Sequence, residues 1–457
     1  MITSLNPATD EVLAQFEPHA GDAIEQRLQR AADAQALWAR TPVAERMPVL
    51  RQVASVLRAR KHELGRTITL EMGKPLAEAV GEVEKCAWNF EFYADNAPAF
   101  LGDQVVASSA IDSRLVYDPL GLVLAVMPWN YPLWQVMRAA APVLAGGNGL
   151  VLKHASNVPQ CALAIEQVFA EAGVPAGLCP TLLVGASAVP ALIADRRIAA
   201  VTFTGSTPAG RSIASAAGQA LKKQVLELGG SDPFIVLADA DVAAAATVGV
   251  KARFQNTGQS CIAAKRFIVE DSVADAFTEA YVEGVKRLVV GDPLQAATTQ
   301  GSMARRNLRD ELQAQVQASI GEGARLLTGG AAVDGPGAFH QPTVFDRVTP
   351  DMTVAREETF GPAAAILRVR DAAEAVRIAN GTPFGLGAAL WTADLDRART
   401  LTRQIQSGAV FVNGMVASDP RLPFGGTKES GYGRELGVLG LHEFTNIKTV
   451  WTGPVRT

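Results

Sequence analysis

Basic residues are not in excess in this sequence, and no uninterrupted apolar run is long enough for a membrane helix. Its 42 Lys and Arg residues are outnumbered by 46 Asp and Glu residues, which gives a formal net charge of −4. Because nucleic-acid-binding domains normally carry a basic patch or stripe, we expect no nucleic-acid partner. The uncharged stretch 119–137 contains Pro119, Pro128 and Pro132, which favour a buried strand and a turn over a membrane helix. We therefore expect no membrane partner either.

Cysteine and histidine are also scarce, with four and five residues among 457. The cysteines are scattered without a CxxC pair, which argues against a disulfide framework and indicates a reducing compartment. So few cysteines and histidines also predict that the protein has no metal site. The N-terminus has acidic residues and no apolar signal-peptide core, so we expect a cytoplasmic location. The motifs GxxxxGKS/T, HExxH and GxSxG are absent, which excludes P-loop, zincin and α/β-hydrolase chemistry.

The chain instead has a globular composition, with 48% hydrophobic and 19% charged residues, and an alternating pattern of elements. Apolar residues at three- and four-residue spacing predict helices over 22–40 and 43–75, the second ending at Gly73 and Pro75. Short apolar runs then alternate with helical segments. Strands are predicted at 122–127, 149–153, 181–184, 200–203, 234–238, 267–269, 364–369 and 409–412, and helices at 135–145, 160–172 and 241–253. This alternation predicts two α/β domains with parallel sheets, the changeover falling near 227–230.

Cys261 is the candidate nucleophile. It lies in FQNTGQSCIAAKR, between small polar residues and the cations Lys265 and Arg266, which would lower the pKa of its thiol. A lone cysteine is more often an inert small apolar residue, so the position alone does not establish a function. The histidines form no recognisable arrangement around it, which disfavours a Cys–His hydrolase.

Two carboxylates accompany this candidate. Glu227 lies in VLELGGSDP, beside glycines that allow close backbone approach, and a carboxylate held near a thioester can activate water. The alternative is a solvated or paired carboxylate at the end of an element. Glu358, in REETFGP, reads in isolation as surface charge.

Two glycine patterns suggest turns. Gly205 and Gly210, in FTGSTPAGR, follow a predicted strand and precede a helix, an arrangement that suits phosphate binding at a helix N-terminus. The segment GYGRELG (431–437) follows no apolar strand, so we predict a turn there.

Seven segments together resemble the NAD(P)-dependent aldehyde dehydrogenase superfamily, and the resemblance extends from residue 6 to residue 451. In order they are MPWNYP (127–132), LKHAS (152–156), FTGSTPAG (203–210), LELGGSDP (226–233), NTGQSC (256–261), EETFGP (357–362) and PFGGTKESGYGRELG (423–437). The resemblance implies an α/β fold of two doubly wound domains with a small oligomerisation extension. The implied dinucleotide-binding domain is 1–112 with 119–228, the catalytic domain is 229–435, and the oligomerisation strands are 113–118 and 436–457.

The resemblance also implies a mechanism. Cys261 is implied to attack the aldehyde carbon, while the side-chain amide of Asn130 and the backbone N–H of Cys261 hold the oxyanion. Hydride transfer to nicotinamide then leaves a thioester, and Glu227 deprotonates the water that hydrolyses it. Without the other segments, Asn130 would read as a turn residue.

Cofactor contacts are carried over in the same way. The implied cofactor-binding residues are Trp129, Lys153, Ser156, Gly205, Ser206, Leu228, Glu358 and Phe360. Ser156 is informative, because many NAD-preferring members have a glutamate there, and a glutamate repels the 2′-phosphate of NADP whereas a serine can donate to it. We therefore expect NADP, NAD or both as cofactor, with NADP accepted.

The substrate assignment rests on Arg138, eight residues after Asn130, where succinate-semialdehyde dehydrogenases bind the substrate carboxylate. Ser418 matches a serine of the same subfamily. That subfamily often has a second arginine at the position of Gln255, and we expect Arg421 to supply the missing charge.

These matches predict NAD(P)-dependent oxidation of succinate semialdehyde. The alternatives are a broad aliphatic or glutarate-semialdehyde dehydrogenase, a catalytically idle structural relative, and a thiol esterase that uses the same cysteine. A CoA-acylating relative would lack Glu227. The segments 113–123 and 444–451 resemble strands that extend a neighbouring subunit's sheet, so a homodimer or tetramer is expected.

Overall fold

The computed structural model describes residues 1–454, which fold into seventeen β-strands and fifteen α-helices. The strands are β1 (Ile2–Leu5), β2 (Val12–Phe16), β3 (Gln104–Val105), β4 (Asp112–Pro119), β5 (Leu122–Met127), β6 (Gly149–His154), β7 (Ile198–Thr204), β8 (Lys223–Glu227), β9 (Asp232–Val236), β10 (Ala264–Glu270), β11 (Arg325–Thr328), β12 (Thr343–Asp346), β13 (Ala363–Val369), β14 (Gly387–Trp391), β15 (Ala409–Val412), β16 (Gly431–Tyr432) and β17 (Thr445–Thr452).

The helices cover the sheets and account for most of the N-terminal quarter of the chain. They are α1 (Gly21–Trp38), α2 (Val43–Ala59), α3 (Lys61–Met72), α4 (Leu76–Phe100), α5 (Trp134–Ala145), α6 (Pro159–Glu171), α7 (Val189–Ala194), α8 (Thr207–Gln219), α9 (Val242–Phe254), α10 (Asp271–Lys286), α11 (Arg306–Gly321), α12 (Thr353–Arg356), α13 (Ala372–Asn380), α14 (Leu395–Thr402) and α15 (Gly437–His442). None of the helices in the described range is both long and apolar enough to cross a bilayer.

The first large sheet has five strands in the order β16-β8-β7-β5-β6, and the four from β8 to β6 run parallel. All six residues of β5, LVLAVM, are buried. Helices α1 and α8 pack in one core with Leu122 and Leu124 of β5, while α5 packs in another with Val123 and Ala125, so both faces of the sheet are covered. A strand covered on both faces needs apolar residues throughout, which is why this run predicted a strand from sequence alone.

The second sheet has seven strands in the order β11-β12-β13-β10-β9-β14-β15, and only β11 pairs antiparallel within it. Its central strands β9 and β10 are buried along their whole length. The chain passes from the first sheet to the second between the end of β8 at Glu227 and the start of β9 at Asp232. The alternation of strands and helices in the sequence predicted the changeover near 227–230.

A third sheet has three strands in the order β17-β4-β3. Strand β17 pairs antiparallel with β4 from Thr445 opposite Pro119 to Thr452 opposite Asp112. Ile447 and Trp451 of β17 are more than half exposed. The sheet therefore presents large apolar side chains to solvent within a single chain.

Four sequence predictions of secondary structure are wrong. The segment 431–437, predicted as a turn, begins with strand β16, which pairs antiparallel with β8. The segment 436–457, predicted as an oligomerisation strand, contains helix α15 before β17. Residues 181–184 form no strand in the described chain, because Thr181 makes only one bridge, to Leu152, and the next residues turn away as Leu183 exchanges hydrogen bonds with His19. The helix predicted over 43–75 is two helices, α2 and α3, separated at Arg60, whose φ of −98° and ψ of 10° are not helical. The predicted end of α3 is confirmed, since Gly73 closes it in the left-handed conformation at φ 85°.

Candidate active site

The parallel strands of the first sheet end side by side, and most of the predicted cofactor residues lie at these ends. Trp129 and Asn130 follow β5, Lys153 and Ser156 lie at the end of β6, Gly205 and Ser206 follow β7, and Leu228 follows β8. The carboxyl ends of parallel strands are where open α/β sheets bind ligands. The structure therefore brings these residues to one edge of the sheet.

The helix after β7 offers an anion site at this edge. Ser206 precedes α8 with extended backbone, at φ −71° and ψ 151°, and within the described chain its side chain does not cap the helix. The first N–H groups of α8 therefore remain to be satisfied, and such groups bind phosphate. Lys153 is buried and forms no ion pair with any residue in 1–454. Burial lowers the pKa of its ammonium group.

Two further predicted cofactor residues reach the same edge of the first sheet from the segment before β13 of the second sheet. The Glu358 carboxylate accepts a hydrogen bond from the backbone N–H of Gly230 at 3.0 Å and lies 3.5 Å from Lys265 Nζ. The ring of Phe360 meets Trp129 edge to face, with 5.7 Å between ring centroids. Glu358 and Phe360 thus lie beside the strand ends of the first sheet, although they precede a strand of the second.

The loop that leads to Cys261 has unusual backbone geometry. Asn256, Thr257 and Gly258 have φ values of 58°, 54° and 70°, so two residues with side chains occupy the left-handed region consecutively. Such conformations cost free energy and persist only where surrounding contacts fix them. Arg253 supplies two of these contacts, because its buried guanidinium donates to Gly258 O at 3.2 Å and to Thr359 O at 3.0 Å.

Asn130 is fixed against the same loop. Its side-chain Nδ2 donates to Gln259 O at 3.1 Å, and its own carbonyl accepts from Asn256 Nδ2 at 3.0 Å. An amide nitrogen carries two hydrogens, so one donor of Asn130 is left for a ligand. This geometry places the predicted oxyanion donor next to the loop that carries Cys261.

Cys261 lines a cavity of about 830 Å³. Of the residues predicted to bind substrate, Arg138 and Ser418 also line it, and so does Gln255. Among the described residues, Asn130, Glu227 and Arg421 are not in its lining. Sequence reasoning missed several polar lining residues, among them Glu78, Glu82, Lys85 and Tyr131.

The thiol of Cys261 is less acidic than its flanking cations predicted. Burial raises the pKa of Cys261 to about 12, and the opposing effects of Arg138 and Lys265 are smaller. Lys265 Nζ donates to the Cys261 carbonyl at 2.8 Å, whereas Arg266 donates to the Ser231, Ile378 and Ala379 carbonyls. The expectation that Arg266 activates the thiol is therefore wrong, because its guanidinium is already bound to other carbonyls.

Alkylation of Cys261 by iodoacetamide should report this pKa. In the free protein the rate is expected to rise about tenfold per pH unit between about pH 7 and pH 9, because the thiolate fraction grows at that rate below the pKa. Mass spectrometry of the Cys261 peptide would measure it, with glutathione as the reference thiol. A plateau for Cys261 below the plateau of glutathione would contradict the raised pKa.

Glu227 is buried at the end of β8, and neither carboxylate oxygen has a hydrogen-bond partner among residues 1–454. Burial raises its pKa well above the ordinary value, Glu435 raises it further, and Arg138 opposes the shift. The charge of Glu227 also raises the pKa of Cys261, so the two groups interact. A buried carboxylate with a raised pKa is a stronger base than an exposed one, as a general base requires.

Arg138 has a partner that the sequence did not reveal. It forms an ion pair with Glu435, and both side chains are only 2% exposed. Its guanidinium also lies 4.8 Å from the centre of the Phe424 ring. Glu435 belongs to GYGRELG, where a turn was predicted without a role. The charge of Arg138 is therefore largely compensated before any ligand binds.

The structure contradicts the role predicted for Arg421. Its guanidinium binds Asp419, with Nε to Oδ1 at 2.9 Å and Nη2 to Oδ2 at 2.6 Å, and its side chain is 67% exposed. A bidentate pair of this kind holds an arginine in place. Arg421 therefore does not replace the charge that Gln255 lacks. Ser418 does face the cavity, where its hydroxyl accepts a hydrogen bond from Lys85 Nζ at 2.7 Å.

Comparison with known proteins agrees with this geometry. The sequence profile of the Aldehyde dehydrogenase family matches residues 1–450. The chain belongs to the aldehyde dehydrogenase family. The superfamily resemblance carried by the seven segments is thus confirmed.

Relatives match over nearly the whole chain. A probable succinate-semialdehyde dehydrogenase (NADP(+)) of Synechocystis sp. is 49% identical, with 98% of this chain and 99% of the relative covered. The succinate semialdehyde dehydrogenase (NAD(P)+) Sad of Escherichia coli is 50% identical, with 98% and 97% covered. Among solved structures, succinic semialdehyde dehydrogenase from Streptococcus pyogenes in complex with NADP+ superimposes with a TM-score of 0.97 at 37% identity, covering 99% of this chain and 100% of that chain. The α/β fold expected from sequence is confirmed.

The glycine pair after Glu227 lets the reacting segments of this aldehyde dehydrogenase approach each other. A Cβ atom on Gly230 would lie 2.7 Å from the Cys261 carbonyl oxygen. Gly230→Ala is therefore expected to displace Cys261 and lower kcat/KM for aldehyde oxidation on the order of 100-fold, the cost of a misplacement near 1 Å. Initial rates of NADPH formation would measure it. Gly218→Ala is the matched control, because nothing lies within 4 Å of its added Cβ, and comparable losses in both variants would contradict the prediction.

Proposed function

We propose that this aldehyde dehydrogenase oxidises succinate semialdehyde to succinate with NADP or NAD. The observation that carries the proposal is the cavity at Cys261, which is also lined by Arg138 and Ser418, a guanidinium and a hydroxyl suited to a carboxylate. The names of the Synechocystis and Escherichia coli relatives support the same substrate.

The residues at the strand ends fit a dinucleotide phosphate. A buried lysine with no carboxylate partner among residues 1–454, a nearby exposed serine and an uncapped helix N-terminus are groups that attract phosphate. We propose Lys153, Ser156, Gly205, Ser206 and Leu228 as the adenosine and phosphate side of the site. Trp129, Glu358 and Phe360 are proposed to hold the nicotinamide half.

In the proposed mechanism, the Cys261 thiol gives its proton to water, and the sulfur then attacks the aldehyde carbon, which gives a thiohemiacetal. The Asn130 amide and the Cys261 backbone N–H hold the oxygen that becomes negative, and each such donor contributes about 3 kcal/mol. Trp129, Glu358 and Phe360 would hold the nicotinamide, which would supply the hydride acceptor, and loss of the hydride from this carbon leaves a thioester on Cys261. Glu227 then takes a proton from water, whose oxygen attacks the thioester, releasing the acid and the Cys261 thiolate.

A substrate panel tests the proposal. We expect kcat/KM for succinate semialdehyde to exceed that for butanal, an uncharged aldehyde of similar length, on the order of 100-fold, the value of well-placed charge-assisted hydrogen bonds. Comparing kcat/KM for glutarate semialdehyde and succinate semialdehyde would show which length of acidic aldehyde the enzyme prefers. Equal efficiency with butanal would favour the broad aliphatic alternative, and aldehyde-independent ester hydrolysis would favour the thiol esterase.

Replacing Ser156 with glutamate tests the cofactor assignment. The added carboxylate would face the 2′-phosphate of NADP, and like charges placed together in a binding site cost several kcal/mol. KM for NADP is therefore expected to rise on the order of 100-fold, while KM for NAD changes much less. Titration of both cofactors with Ser156→Glu and the neutral control Ser156→Ala would measure this. Equal weakening of NAD and NADP would place the 2′-phosphate elsewhere.

We also propose that the enzyme is a cytoplasmic homodimer or tetramer assembled through residues 113–118 and 436–457. Its proposed domain boundaries are those predicted from sequence. The exposed Ile447 and Trp451 of β17 support an interface there, since apolar side chains on an edge strand favour pairing with another chain. Light scattering after size exclusion would give the mass. A monomer at micromolar concentration would contradict the assembly.

A further inference from the structure

Lys85 belongs to helix α4 and lines the active-site cavity. Its Nζ donates to Ser418 Oγ at 2.7 Å and lies 4.4 Å from the centre of the Trp134 ring. Lys85, Trp134 and Ser418 all line the cavity together with Cys261. The amine is therefore held at a defined position inside the cavity.

Other charges that line the cavity are already compensated. Arg138 is paired with Glu435, and Glu82 is paired with Lys74 at 2.5 Å and accepts the N–H groups of the first residues of α5. Glu78 accepts the backbone N–H of Asn256 at 2.6 Å, and burial raises its pKa, which disfavours its charge.

Two lining lysines remain. Lys251 is exposed, so solvent screens its charge. Lys85 has no carboxylate within ion-pair distance in the described part of the chain. Burial lowers its pKa to about 8, and at pH 7 most of the amine is still protonated. Lys85 is thus the partly buried cation whose charge is left for a ligand.

We propose that Lys85 binds the carboxylate of the semialdehyde substrate and, with Ser418 and Arg138, determines specificity for an acidic aldehyde. This rests on the proposed function and adds a residue to it. A bound carboxylate would accept hydrogen bonds from Nζ and from the Ser418 hydroxyl, which is already oriented by Lys85. It would also face Arg138, so that two cations, Lys85 and Arg138, balance two anions, Glu435 and the bound carboxylate.

The same geometry explains how the site works with a neutral Gln255. Gln255 lines the cavity but carries no charge. Arg421 is occupied by Asp419 outside the lining. In the proposal, the second cation is Lys85 on α4, which is distant in sequence from Gln255 and Arg421.

The test compares two variants with two aldehydes. Lys85→Met keeps an unbranched side chain of similar length and removes the charge, while Lys85→Arg keeps a cation. For Lys85→Met, we expect KM for succinate semialdehyde to rise on the order of 30-fold, as for a lost charged hydrogen bond, with kcat nearly unchanged. KM for butanal should stay within about twofold, because that substrate has no carboxylate to lose. Lys85→Arg should recover most of the affinity for succinate semialdehyde.

Each outcome has a distinct meaning. Equal losses with both aldehydes, or a fall in kcat without a change in KM, would show that Lys85 only supports the fold of the cavity and would overturn the proposal. An unchanged KM for succinate semialdehyde in Lys85→Met would overturn it as well. If the wild-type enzyme itself does not prefer succinate semialdehyde to butanal, the proposed function fails first, and the two failures are thereby distinguished.

Discussion

Replacing Cys261 with serine is expected to lower kcat for aldehyde oxidation by at least about a thousandfold, the scale of loss seen when a nucleophile is removed. A serine hydroxyl ionises far less readily than a thiol, and the burial that raises the pKa of Cys261 to about 12 would disfavour an alkoxide even more. The variant should still bind NADP, because the proposed cofactor residues lie on other segments. NADPH formation and NADP binding by fluorescence would be measured together.

Cys179→Ala is the matched control. Burial raises the pKa of Cys179 to about 12 as well. The two thiols therefore have similar pKa values and differ in where they lie. Cys179 is buried in the core of the first sheet, whereas Cys261 lines the cavity. Near-normal turnover in Cys179→Ala and none in Cys261→Ser would show that aldehyde oxidation requires the thiol at position 261. Normal turnover in Cys261→Ser would overturn the mechanism, and only the assignment of the fold would remain.

Sequence reasoning succeeded where the determinant of structure was local. The strand 122–127 was predicted at its observed bounds, because a strand covered on both faces must be apolar at every position. The apolar run 181–184 has a similar composition but lacks a continuing partner beyond Thr181, so the same rule failed there. Pairing is decided by distant residues, which a short window does not contain.

The site shows the same division. The roles of Cys261, Glu227 and Asn130 were predicted from the family segments that contain them, and without those segments Asn130 would read as a turn residue. Lys85 could not be identified in this way, because GEVEKCAWNF resembles any amphipathic helix and its cavity-facing side depends on α4 packing against α5.

Partners of the two arginines were missed for different reasons. Glu435 was missed because its partner Arg138 lies in a different region of the sequence. The pairing of Arg421 with Asp419, only two residues earlier, was a local signal that could have corrected the prediction for Arg421.

Glu227→Gln is expected to separate the two halves of the reaction. The substitution preserves shape and removes the base, and the carboxylate it replaces has no hydrogen-bond partner among residues 1–454, so little structural support is lost. If Glu227 serves hydrolysis, aldehyde and NADP should give a rapid burst of NADPH near one equivalent per active site. Steady-state turnover should then be lower by about 100- to 10,000-fold, the range for a lost general base. Stopped-flow absorbance would measure both phases.

The enzyme trapped after the burst should carry a thioester on Cys261. Hydroxylamine attacks thioesters without needing a general base, so it should accelerate the slow phase of Glu227→Gln much more than that of the wild-type enzyme. A variant with neither burst nor turnover would instead assign Glu227 to removal of the Cys261 proton, a role compatible with the electrostatic interaction between the two groups. A burst followed by undiminished turnover would show that another group activates water. The buried position of Glu227, which raises its pKa, makes it a strong base once ionised, and this property is what the variant removes.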